Sequence, residues 1–377
     1  MSNTSISRIS LPQVRSFRLN GEFSRRVLLR VLANMEVGSL TIHEGGEVIR
    51  LGETGNPEAP HAEVHVHDPL AYRRILTGGS IAAGESYMLG DWSTPDLTQV
   101  TRLFCANMAM MEQMEAGQSW LVRMGLKLAH GLNRNTRDGS RKNISAHYDL
   151  GNDFFRLFLD PTMMYSSALF RDATMPLEEA SVAKLDEICR QLELQSGDHL
   201  LEIGTGWGGM AIHAAKHYGC RVTTTTISRE QFDHAKARVK EEGLEGSVTV
   251  LCEDYRNLRG SFDKLVSIEM IEAVGHQFYS DYFRRCSALL KPEGKMVIQA
   301  ITITDQRYIQ ARDSVDFIKR YIFPGGCLPS IAVITDHLAR DTERQMVHLR
   351  DITDDYAITL AHWRERFMSR LDAVRRL

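Results

Sequence analysis

Leu200-Leu201-Glu202-Ile203-Gly204-Thr205-Gly206-Trp207-Gly208-Gly209 decides how the rest of the chain is read. A short, mostly apolar run ends in a glycine cluster and opens into Met210 to Tyr218, which has helical spacing. That strand–turn–helix context is what a nucleotide-type glycine loop requires. Glycine lets the backbone turn tightly and lets a ligand approach main-chain amides with no Cβ in the way. Working outward, periodicity gives a helix from Leu177 to Leu192, a strand from His199 to Ile203 and a strand from Arg221 to Ile227. A helix follows from Arg229 to Glu241, then strands from Ser247 to Leu251 and from Lys264 to Ile268. A helix from Tyr279 to Leu290 and a strand from Gly294 to Ile303 complete the pattern. Such alternation implies an α/β fold with a mostly parallel, doubly wound sheet. Ligands then bind beyond the carboxyl ends of the strands, where the strand order switches.

Gly204, Gly206 and Gly209 also satisfy the dinucleotide pattern GxGxxG, so the loop alone does not name its ligand. Three neighbours favour S-adenosylmethionine over NAD. Glu202 precedes the loop, where it can hold the loop and the amino acid end of that ligand. The next strand ends in Thr223-Thr224-Thr225-Thr226-Ile227-Ser228 with no acid, whereas an NAD site wants one about 20 residues on. The third strand runs into Glu253-Asp254-Tyr255, which offers a carboxylate to an adenine amino group. A class I methyltransferase fold is therefore expected, and resemblance to that fold family implies a terminal antiparallel strand.

The chain has 377 residues and a formal net charge of −3, so no global field draws it to nucleic acid. Its length calls for two domains, expected at 1–135 and 136–377. The first holds strand-like Val37 to Ile42 and Ala62 to His67 and a Met-rich helix from Thr98 to Gly117; within it, Met108 to Met114 reads as helix core ahead of a ligand tunnel. Gly131 to Lys142 reads as a linker. Neither a signal peptide nor an apolar run of about 18 residues is present. The six cysteines form no CxxC pair, so no metal site is expected and the thiols read as reduced in a cytoplasmic protein.

With its flanks added, the chain resembles the cyclopropane-fatty-acyl-phospholipid synthase family, including mycolic acid cyclopropane synthases. The matching stretches are 144–155 (ISAHYDLGNDFF), Tyr165 to Ala168, Leu201 to Gly209, Thr226 to Gln231, Ser267 to Gly275, Arg320 to Pro329, and Asp355-Tyr356 with Trp363. The first 135 residues match only loosely, as an extra domain that binds lipid or pairs subunits into a homodimer. The resemblance implies transfer of a methylene or methyl group from S-adenosylmethionine to the cis double bond of an unsaturated phospholipid acyl chain. It implies a cofactor site of Tyr165, Ser166, Glu202, Gly204, Gly206, Gly208, Thr226, Gln231 and Asp254.

In this family a bound bicarbonate is the base, held by Glu, His, Cys, Tyr and an Ile main-chain group. Glu272, Tyr356 and Ile301 stand in three of those places here. The His place holds Gln299 and the Cys place Ser167. Gln has no titratable proton, so bicarbonate binds more weakly or a carboxylate replaces it, with Glu269 the candidate. Slow deprotonation would yield a methyl- or methylene-branched chain instead of a ring, a methyl branch requiring a partner reductase. The two substitutions also leave open a non-catalytic lipid-binding relative or a small-molecule methyltransferase. His147 and Tyr148 could contact the ligand, and Phe323-Pro324-Gly325-Gly326 could shape the acyl site. Trp120 to Ala129 mixes apolar and basic residues, Arg123 to Lys142 holds six Lys or Arg against one acid, and Phe23-Ser24-Arg25-Arg26 is a weaker basic patch. Transient membrane association is the expectation from these segments.

Overall fold

The computed structural model describes residues 21–53, 55–116 and 151–377. The expected linker, the Trp120–Ala129 helix and His147 with Tyr148 lie outside the described residues. The chain divides between Gly125 and Leu126 into two compact units.

The first unit contains α1 (Gly21–Leu32), β1 (Ser39–Glu44), β2 (Glu47–Gly52), β3 (His61–Val66), α2 (Leu70–Met88), β4 (Trp92–Ser93), α3 (Leu97–Ala106) and α4 (Met108–Ala116). Its sheet runs β2-β1-β3-β4, with β1 antiparallel to β2 and parallel to β3. Gly45 and Gly46 join β1 to β2 with φ of 55° and 90°, the backbone of a tight hairpin turn. Alternate residues Leu40, Ile42 and Ala62 pack with Leu28, Leu32, Leu103 and Met110. Met110 is thus core, as the helical spacing suggested. The stretch read as one helix from Thr98 to Gly117 is two. Buried Asn107 separates them: its Oδ1 accepts from Glu36 N and Val37 N, and its Nδ2 donates to Val37 O and Leu103 O. The basic patch at Phe23–Arg26 is also smaller than the sequence suggested, because Arg25 is paired with Glu44 and Glu47.

The second unit begins with α5 (Asn152–Arg156) and α6 (Leu177–Gln191). It continues β5 (His199–Ile203), α7 (Gly209–Tyr218), β6 (Arg221–Thr226), α8 (Arg229–Glu241), β7 (Val248–Cys252), β8 (Phe262–Ile268), α9 (Tyr279–Leu289) and β9 (Leu290–Gln299). The strand order β7-β6-β5-β8-β9, with every pair parallel, is a doubly wound sheet that switches direction between β5 and β8. One face buries α6, α7 and α8 around Leu185, Leu200, Met210 and Val222. The other buries Tyr279, Tyr282 and Phe283 of α9 against Leu201, Ile203 and Leu265. After β9 come α10 (Asp305–Asp313), α11 (Phe317–Tyr321), α12 (Ile331–Asp341), α13 (Thr353–Ser369) and α14 (Leu371–Val374).

No antiparallel strand closes this sheet among the described residues, contrary to expectation. Residues 343–352 instead run without a ladder. There the Arg344 guanidinium donates to the carbonyls of Leu290, Lys291, Pro292 and Gly294, binding the start of β9 through a side chain.

Candidate active site

The carboxyl ends of β5, β6 and β8 meet where strand order switches. Gly204, Gly206 and Gly208 all have positive φ, of 103°, 51° and 87°, a conformation that glycine adopts without strain. Gly204 N and Thr205 N donate to Thr225 O, each at 3.0 Å, and pin the loop to β6. A Cβ on Gly206 would meet nothing within 4 Å, so that side of the loop is open. Beneath it, buried Glu202 accepts from Thr224 Oγ1 at 2.6 Å, and Thr224 in turn contacts Thr205 Oγ1 at 2.7 Å. Glu202 therefore grips the loop from below through two threonines. Burial pushes its carboxyl up to about 8.

At the end of β6, Thr226 Oγ1 donates to Gln231 Oε1 at 2.8 Å and accepts from Ser228 N. Ser228 caps α8, its Oγ accepting from Gln231 N. Asp254, at the end of β7, is buried, and both its oxygens accept from the Arg256 guanidinium, at 2.8 and 2.6 Å. Ser166 Oγ accepts from Lys184 Nζ at 2.5 Å. Lys184 is a functional candidate that the sequence reading missed. Burial lowers its ammonium to about 8, opposed by Glu269, Asp160 and Glu202. The signal was available: Lys184 lies between Ala180 and Ile188 on the buried stripe of α6, where a lysine is out of place without partners.

The acidic residues after β8 form the densest group. Glu269 Oε1 accepts from Ser167 N and from Gln299 Nε2, both at 2.8 Å, while Gln299 Nε2 also donates to Ser167 O at 3.2 Å. Glu269 takes φ of 45°, a strained conformation for a residue with a side chain, of the kind that collects at functional sites. Glu272 Oε1 accepts from Ile301 N at 2.5 Å, and its Oε2 is buried with no hydrogen-bond partner. Burial first, then the nearby Glu269 charge, raises Glu272 to about 8; burial also raises Glu269. Tyr356 from α13 is half-buried, and desolvation first, then the charges of both glutamates, help hold its hydroxyl proton on. The helix is tied to the loop bearing Ser167: Ala168 N donates to Thr359 Oγ1 and Phe170 N to Asp355 Oδ1.

Thus the structure brings Ser167, Gln299, Ile301, Glu272 and Tyr356 together around Glu269, the carboxylate that the sequence reading offered as a replacement base. Three donors expected to hold bicarbonate are already engaged. Gln299 serves Glu269 and Ser167 O, Ile301 N serves Glu272, and Ser167 Oγ donates to Ala168 O. With a second carboxylate beside them, these residues do not fit an added anion. Phe323 to Cys327 closes over the group, Cys327 N donating to Glu272 O at 2.9 Å.

Tyr165 connects the acids to an apolar cavity of about 470 Å³. Its ring packs on Phe155 and Trp363, both at 5.3 Å between centroids. Burial and the Glu269 charge push its hydroxyl up to about 12. The cavity is walled by Phe154, Phe155, Phe158, Trp363 and Phe367, and Tyr321, Ile322, Leu360 and Arg364 also line it.

The family model described as mycolic acid cyclopropane synthetase matches residues 135–377. Tuberculostearic acid methyltransferase UfaA1 of Mycobacterium tuberculosis is 40% identical over 329 residues, 85% of this chain and 76% of that one. Cyclopropane-fatty-acyl-phospholipid synthase of Escherichia coli is 38% identical over 326 residues, covering 85% and 80%. Both alignments are longer than 135–377 alone, so the likeness reaches into the first unit. The crystal structure of mycolic acid cyclopropane synthase CmaA1 with SAH and CTAB superposes with a TM-score of 0.58 at 32% identity, covering 62% of this chain and 85% of that one.

Proposed function

The chain belongs to the mycolic acid cyclopropane synthetase family, and from that premise we propose that it methylates the cis double bond of an unsaturated phospholipid acyl chain. It is an S-adenosylmethionine-dependent methyltransferase. That co-substrate supplies an electrophilic methyl group on a sulfonium. Tyr165, Ser166, the loop glycines, Thr226, Gln231 and Asp254 are the residues that would hold it, with Glu202 supporting the loop. Asp254 would act while still paired to Arg256, so its share in binding is through the lone pairs left over.

Methyl transfer puts a cation on the acyl carbon next to the one that gains the methyl. Aromatic faces stabilise such a charge while keeping water out, and Phe155, Phe158, Tyr165 and Trp363 wall the cavity. One proton must then leave. The observation that carries our reading is the unequal pair of half-buried glutamates. Glu269 has two donors on one oxygen and Lys184 nearby, all favouring its anion, whereas Glu272 is opposed by the Glu269 charge. Environments that push two carboxyls apart assign their roles. Glu269 is the base and Glu272 the neutral acid beside it. Bicarbonate has no part in this scheme.

The same proton loss leads to two products. Direct loss from the new methyl with ring closure gives a cyclopropane. A 1,2-hydride shift first, moving the cation to the methylated carbon, followed by loss of a methyl proton, gives a methylene branch. The hydrogen bonds from Ser167 N and Gln299 Nε2 oppose the rise that burial gives Glu269, which leaves it a weaker base than the same buried carboxylate without them and allows time for the shift. We therefore favour the methylene-branched product, reducible to a methyl branch by a separate reductase. Glu269→Gln is expected to lower turnover by about 10²–10⁴-fold while retaining cofactor binding by calorimetry. Gln299→His is expected to raise the cyclopropane share among the products. Full activity in the first variant would remove Glu269 from the mechanism.

Substrate would enter from a bilayer. No helix among the described residues is long and apolar enough to cross a membrane. Ile318, Tyr321, Phe323 and Leu360 are large apolar residues exposed beside the cavity, with Arg320 and Arg364 among them to meet anionic headgroups.

A further inference from the structure

The outer face of the first unit's sheet carries chemistry that the methyltransferase reading does not use. In β1 and β3 the strands are parallel, with Thr41 opposite Glu63 and His43 opposite His65. The period of two in a strand puts His43, Glu63 and His65 on one face, opposite the face that buries Leu40, Ile42 and Ala62. One carboxylate oxygen, Glu63 Oε1, lies 2.9 Å from His65 Nε2 and 3.2 Å from His43 Nε2. The two imidazoles stack at 4.7 Å with their planes 13° apart. All three potential donor atoms lie within 4.8 Å of one another, and the trio is the only His/Cys/Asp/Glu group of this kind among the described residues.

We propose that His43, Glu63 and His65 bind a divalent first-row transition ion. Bonds of about 2.0–2.2 Å to imidazole nitrogen and carboxylate oxygen, at angles of about 90–109°, place neighbouring donors roughly 2.8–3.6 Å apart, and the His–Glu separations of 2.9 and 3.2 Å fall in that range. Binding would turn the stacked imidazoles toward each other, so that both Nε2 atoms meet the ion beside Glu63 Oε1. Two neutral imidazoles and one carboxylate suit zinc, nickel or copper(II), and not magnesium or calcium, which prefer all-oxygen shells. The side chains are 35%, 45% and 40% exposed, so water fills the remaining positions. The ion would bridge β1 to β3 across the sheet, and its binding is independent of the catalytic reading.

The test is calorimetric titration of the untagged full chain with Ni²⁺, which competes less than Zn²⁺ for the six free thiols. One equivalent is expected to bind. His43→Gln, His65→Gln and Glu63→Gln should each weaken it at least ~10-fold, since even outer-shell partners of a metal are worth that much. His67→Gln, whose Nε2 is 2.7 Å from Ser93 Oγ outside the trio, should leave the affinity unchanged. Electron paramagnetic resonance of the Cu²⁺-loaded chain should show coupling to two nitrogens, falling to one in His43→Gln with the far-ultraviolet circular dichroism unaltered. Absence of binding by the unsubstituted chain, or an unchanged affinity and nitrogen count in the variants, would overturn the proposal.

Discussion

Glu272 shows how the surroundings of one carboxyl bear both on stability and on the chemistry proposed for it. Its carboxyl stands at about 8 against an ordinary 4.5, chiefly because burial disfavours the charged form. The folded chain therefore holds this proton more tightly than the unfolded chain does. The stabilisation it gives is complete below about 4.5 and is lost as pH rises through about 8. Glu272→Gln removes a group whose ionisation opposes folding. Its melting temperature should exceed that of the unsubstituted chain at pH 8, and the gap should shrink toward pH 5; each kcal/mol corresponds to about 2–4 °C in a unit of this size. An equal gap at both values would mean that Glu272 does not titrate as described. Glu269 is also raised by burial, and a base must be ionised to act. Turnover should therefore climb with pH beyond the ordinary carboxylate range, a rise that Glu269→Gln abolishes. At this scale the sequence named the residues without their alliances. Gln299 read as a lost histidine, whereas in the fold it is the donor that holds Glu269. The partners of Glu269, at Ser167 and Gln299, come from distant parts of the chain, and only packing brings them together.

Among elements, legibility followed locality. The strands and helices around the glycine loop were readable because their periodicity is local and strong; β5 and α8 fall where the pattern put them, and other boundaries shift by a few residues. The break at Asn107 was not readable, because what ends α3 is a set of hydrogen bonds to residues about 70 positions earlier. Asn107→Ala leaves Glu36 N, Val37 N and Val37 O without these partners. A loss of about 2–4 kcal/mol is expected, as buried polar groups left unpaired cost about 1–3 kcal/mol each; chemical denaturation followed by circular dichroism measures it. Little change would show that water replaces the amide. The missing antiparallel strand has a similar cause. Residues 343–352 form no ladder, and the Arg344 guanidinium instead satisfies carbonyls at the start of β9.

For the whole molecule, the question is how a chain with no membrane-crossing helix among its described residues reaches a lipid. Exposed Ile318 and Phe323 next to the apolar cavity suit shallow insertion into a bilayer. Ile318→Glu with Phe323→Glu should cut co-sedimentation with anionic phospholipid vesicles several-fold, while leaving binding of S-adenosylmethionine intact. Unchanged sedimentation would move the membrane contact elsewhere on the protein. The acyl-methylation reading itself is tested by incubating the purified chain with S-adenosylmethionine and vesicles of monounsaturated phospholipid. The released fatty acids are then weighed and fragmented. A gain of about 14 mass units per acyl chain, with fragments that locate a methylene branch at the former double bond, is the expected result. A cyclopropane at the same mass would keep the substrate and overturn the hydride shift placed before deprotonation. No gain in mass, with the co-substrate bound, would contradict the assignment of a phospholipid acyl chain as the acceptor.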